Sequence, residues 1–160
     1  MASSDPDGLV ATPVETVARD ASGAGADVRH LAGLVAERDA AVVYVGLPRH
    51  LSGAEGSSAQ DVRTYCGILA RAVAPVPVRL VDERMSTVTA HQALYASGRS
   101  GRRHRQVVDQ AAAVVILQSA MDAERTTGAR CGELVVIEHP PEDVPQAGGP
   151  AAGTGERDAR

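Results

Sequence analysis

Apolar residues recur at three- and four-residue steps in three stretches of the chain, the spacing of one helix face. Val28, Leu31, Leu34 and Val35 keep to one side, with Asp27 placed as the helix cap or first-turn acid. Ala59, Val62, Cys66, Leu69 and Val73 form a second stripe, which Ser57 or Ser58 starts and Pro75 and Pro77 end. Val107, Val108, Ala111, Val114, Val115 and Leu117 predict a long apolar helix reaching Met121.

Shorter unbroken apolar runs lie between them. Ala41 to Val45 reads as a strand apolar on both faces, stopped by Gly46 and Pro48 and suited to the interior of a sheet. "VRLV" at 78–81 is the next strand, and "LVATPVETV" at 9–17 a strand or extended edge segment interrupted by Pro13. A short helix is expected from Ser86 to Ala96, closed at Gly98, where a left-handed cap suits glycine. "RSGRRHR" reads as a basic loop, and "GELVVIEH" at 132–139 as either a late edge strand or a loose extension. Strand and helix alternate, which predicts a three-layer α/β domain with a sheet largely parallel in its second half. Residues 1–138 form that domain, and 139–160, rich in Pro and Gly, a disordered tail.

Composition narrows the chemistry. With no Phe, no Trp and three Tyr, aromatic base-stacking platforms are nearly excluded. All 16 basic residues are Arg, whose planar forks suit phosphate oxygens, although the formal charge of −4 argues against attraction of nucleic acid to the whole surface. Cys66 and Cys131 are too few for a disulfide framework and have no metal-ligand spacing, which fits a reducing cytoplasm. Neither a signal peptide nor a membrane span is legible.

Two carboxyl-bearing places stand out. Asp82 and Glu83 end the 78–81 strand, and Asp109 lies near the start of an otherwise core-like helix. If brought together they would repel unless protonated or bridged by a cation, and oxygen-only ligands select Mg²⁺ or Mn²⁺. Such an ion serves phosphodiester hydrolysis, with Arg99, Arg102, Arg103 and Arg105 placed to hold backbone phosphates. The plainer readings stand beside this one. Asp109 would be a helix-start acid favoured by the helix dipole, Asp82 or Glu83 would pair with Arg84, and the arginines would form a solvated loop.

Four ordered blocks add a resemblance. "SDPDGLVATPVETV", "VGLP" at 45–48, "DERMST" at 82–87 and "VVDQAAAVVILQ" at 107–118 resemble the pre-16S rRNA nuclease family, over roughly residues 4–122. That family is similar to Holliday-junction resolvases and has a ribonuclease H-like fold. The resemblance implies a mixed sheet of about five strands with helices on both faces. It also implies a Mg²⁺- or Mn²⁺-dependent cytoplasmic nuclease acting on structured RNA, and the sequence fits a monomer or a homodimer equally. Glu83 and Asp109 would be its metal ligands, Asp82 an assisting acid, and Arg84, Ser86 and Thr87 part of the same cleft.

One family feature is missing from the chain. Family members open with a strand bearing an Asp-x-Gly motif, whereas this chain opens at "MASSDPDG", where Asp5 matches the acid of a later turn. The expectation is therefore a domain lacking its first strand, with a start codon lying upstream. A branched-DNA resolvase and a catalytically inactive nucleic-acid-binding protein are the alternatives.

Overall fold

The computed structural model describes residues 1–49, 54–82 and 102–137, with side chains in the last span from residue 109 onward. The chain opens with an antiparallel hairpin of β1 (Ala2–Ser4) and β2 (Ala11–Pro13), in which Ala2 faces Pro13. Asp5 makes the turn: its Oδ1 accepts the N–H groups of Leu9 at 2.7 Å and Val10 at 2.8 Å. Those bonds, Val10's first, hold the carboxyl below the usual range. The acid of the "SDP" block is thus a turn residue, and Pro13 closes its strand rather than interrupting one.

Helix α1 (Ala26–Glu37) follows, with Asp27 in its first turn rather than at its cap. Strand β3 (Val43–Leu47), helix α2 (Ser57–Val73) and strand β4 (Val78–Asp82) make a parallel β-α-β unit. Gly46 does not stop β3. It pairs with Val81, and Leu47 continues the ladder opposite Asp82 before Pro48 ends it. Strand β5 (Glu133–Leu134) joins β4 antiparallel, so the 132–139 stretch does supply an edge strand.

Helix α3 runs from Arg102 to Thr127 and corrects two expectations. Arg102, Arg103, His104 and Arg105 are helical rather than a loop, as suits the high helix propensity of Arg, and the helix passes Met121 by more than a turn. Residues 139–160 and the 86–96 helix lie outside the described residues.

The core lies between α1, α2 and one face of β3 and β4. Leu47, Cys66, Leu69, Val73, Val78 and Leu80 are buried in one cluster, with Val43 and Val45 packed against it. Successive strand residues face opposite ways. Tyr44 accordingly turns to the other layer, where its hydroxyl donates to Glu124 Oε2 on α3 at 3.2 Å. Helix α3 also rests on β1 and β2, and Gln118 ties it there: its Oε1 accepts from Ala11 N–H at 3.0 Å while its Nε2 donates to the Leu9 carbonyl.

The architecture is α/β with a mixed sheet, but the five strands do not form one sheet among the described residues. The hairpin is a two-stranded sheet, β3-β4-β5 a separate three-stranded one. Strand β3 pairs only with β4 there, which places it at an edge rather than inside. Among the described residues no helix is long and apolar enough to cross a membrane.

Candidate functional site

Because Leu47 and Asp82 are ladder partners, the two parallel strands end at one level, one followed by Pro48 and Arg49 and the other presenting the carboxylate of Asp82. Ends of parallel strands are where α/β folds place chemistry, since the sheet fixes the backbone while the loops vary. Arg49 reaches across so that its Nε stands 3.9 Å from Asp82 Oδ2, an ion-pair distance too long for a hydrogen bond. A cavity of about 310 Å³ lies between these strand ends and α3, with Leu47, Arg49, Asp82, Ser119, Gly132 and Glu133 in its lining.

Arg49 is the first member of a chain of ion pairs. Its Nη2 lies 3.1 Å from Glu55 Oε1, and Glu55 in turn accepts two hydrogen bonds of 2.8 Å from Arg63 Nε and Nη2. Arg63 also grips Glu133 on β5 through Nη1–Oε1 at 2.7 Å and Nη2–Oε2 at 2.9 Å. Paired forks of this kind fix orientation as well as charge. The Arg63 hydrogen bonds hold both Glu55 and Glu133 below the ordinary carboxylate range, and the two carboxylates push Arg63 further up.

Of the residues singled out by sequence, Asp82 stands at this strand end, with a side chain 18% exposed. Glu83, Arg84, Ser86, Thr87 and Arg99 lie outside the described residues. The backbone of Arg102, Arg103 and Arg105 forms the opening turns of α3. Asp109 is two turns into that helix, which starts earlier than the apolar pattern from Val107 predicts and holds no acid in its first turn. It is exposed, and its charge reaches the Met1 ammonium of the hairpin.

Asp109 does not line the cavity that holds Asp82. It precedes Ser119, which lines the cavity with Ala120 and Ala123 of the same helix, by about 15 Å of helix axis. Among the described residues no three or more His, Cys, Asp or Glu side chains cluster as a metal site. The pairing of Glu83 with Asp109 rests on a residue outside the described set.

Sequence reasoning missed Arg49, Glu55, Arg63 and Glu133. The position of Arg49 directly after the "VGLP" block is the one local signal that could have found it.

A model of the RuvX family, described as Holliday junction resolvase, matches residues 1–123. A relative from Streptomyces coelicolor is 55% identical over 138 residues, covering 86% of this chain and 81% of its own. One from Nocardioides sp. is 57% identical over 139 residues, covering 84% and 87%. One from Thermobifida fusca is 51% identical over 142 residues, again covering 84% and 87%. All three carry the provisional name pre-16S rRNA nuclease.

Proposed function

The chain belongs to the RuvX family, and from that premise we propose that it is a phosphodiester hydrolase that trims the 5′ end of pre-16S ribosomal RNA in the cytoplasm during ribosome biogenesis. The observation that carries the reading is identity above 50% to relatives named as pre-16S rRNA nucleases, across most of both chains. The structure supports it with a parallel strand pair whose ends present an arginine and a carboxylate side by side.

Glu83 and Asp109 are the proposed ligands of a Mg²⁺ or Mn²⁺ ion. Their donor chemistry fits: both offer only oxygen, and Mg²⁺ is commonly held by one or two carboxylates with water and substrate phosphate completing its shell. Such an ion supplies an activated water and charge neutralisation at the leaving oxygen. Asp82, fixed by the ladder, assists as the neighbouring acid. Arg84, Ser86 and Thr87 contact the phosphate to be cut, and Arg99, Arg102, Arg103 and Arg105 hold the adjoining RNA backbone. Contacts of that kind set register without reading sequence.

The family description favours a second substrate, branched DNA, because phosphate contacts and hydrolysis serve either polymer. Side-by-side incubation with a pre-16S rRNA 5′ fragment and a four-way DNA junction, each with Mg²⁺, separates them. Cleavage of the RNA alone is expected. Cleavage of the junction alone would assign a resolvase. Binding that persists with chelator, without cleavage by any divalent ion, would leave a nucleic-acid-binding protein.

A further inference from the structure

We propose that Arg49 is a substrate-contacting residue, whose guanidinium takes a phosphate oxygen of the bound RNA at the ends of β3 and β4. The proposal rests on the nuclease reading above and extends it to a residue that no motif marked.

Three observations carry it. First, Arg49 Nε is buried and has no hydrogen-bond partner among the described residues. A buried donor on a charged group is costly to leave unpaired, so its geometry calls for an acceptor that arrives with a ligand. Asp82 Oδ2, at 3.9 Å, supplies attraction without filling that role.

Second, the guanidinium is aimed in advance. Leu47, 2% exposed, anchors the strand end two residues earlier, and Glu55 holds Nη2 from the other side. Ordering a long side chain before binding removes much of the entropy cost of capturing a phosphate.

Third, Glu55 is itself held in place. Arg63 donates two hydrogen bonds to Glu55, so Glu55 orients Arg49 from a fixed position. The fork therefore keeps the planar donor edge that matches phosphate oxygens, at the level from which the chain continues toward Glu83.

The test uses the full chain and a pre-16S rRNA 5′ fragment, measuring Kd against salt concentration in chelator together with KM and kcat in Mg²⁺. Arg49→Gln is expected to weaken binding about tenfold. It should also lower the slope of log K against log salt by about 0.7, one phosphate contact on a single strand, with an unchanged unfolding midpoint. KM should carry most of the loss. Arg49→Lys should restore the slope but only part of the affinity, because it keeps the charge and lacks the fork.

A folded Arg49→Gln protein with wild-type Kd and salt slope would overturn the proposal while leaving the nuclease reading intact. If Arg49→Gln does not fold, Arg49→Lys decides, and wild-type affinity in that variant refutes the fork. Wild-type protein that neither binds nor cuts the RNA would overturn both.

Discussion

Leu47 and Asp82 face each other across the β3–β4 ladder, and this single register pairing sets the level at which the "VGLP" block and the acidic strand end meet at the end of the sheet. It brings together two of the sequence blocks that carry the family likeness, although 35 positions separate them. The proposed chemistry builds outward from that level.

Gly132 is packed where no side chain fits. Its φ is +77°, and a Cβ there would come within 2.5 Å of the Leu80 carbonyl oxygen. Gly132→Ala should lose at least about 2 kcal/mol in urea unfolding, from left-handed strain plus the displacement of β5. An unchanged midpoint would show that β5 does not lie against β4 as described.

Asp27 is 7% exposed, and its Oδ2 accepts the Tyr65 hydroxyl at 3.0 Å. Burial pushes its pKa up, but backbone N–H bonds and the tyrosine outweigh that, so the net direction is down. Tyr65→Phe removes one donor from a buried carboxylate and should cost about 1–3 kcal/mol in unfolding free energy. The same variant should begin to lose stability at a higher pH than wild type on acidification, because less holds the ionised form in the folded state.

Alkaline stability should be lost in a defined window. Burial raises Cys66 from 9.0 to about 11, and burial first, then neighbouring carboxylates, raise Tyr44 and Tyr65 from 10.0 to about 12. Groups whose folded pKa is raised favour the folded state below their unfolded pKa and lose that advantage as pH rises through the folded one. Unfolding free energy should therefore fall between about pH 9 and pH 12. Cys66, 0% exposed, should react with a thiol reagent only after unfolding. Rapid modification of Cys66 in the native protein would contradict the described core.

The helical part of the fold was written plainly in the sequence. Ala59, Cys66, Leu69 and Val73 recur on one face, and all four are buried in α2. Gly46 misled because a glycine two residues before a proline reads as a stop, yet the ladder to Val81 tolerates it. Arg102 to Arg105 misled because clustered charge reads as a solvated loop, although an arginine loses little by being helical. At the candidate site, Asp82 was legible as a carboxylate closing an apolar strand. The Arg63–Glu133 fork was not, because its partners stand 70 positions apart and no local pattern joins them.

The central claim is that Glu83 and Asp109 together support metal-dependent hydrolysis of the RNA, and single-turnover cleavage of a pre-16S rRNA 5′ fragment tests it most directly. With saturating Mg²⁺, Glu83→Gln and Asp109→Asn should each lower the rate at least about 100-fold, with unchanged circular dichroism and RNA binding retained. Undiminished cleavage by folded Asp109→Asn protein, or wild-type cleavage that proceeds equally well in chelator, would contradict the account.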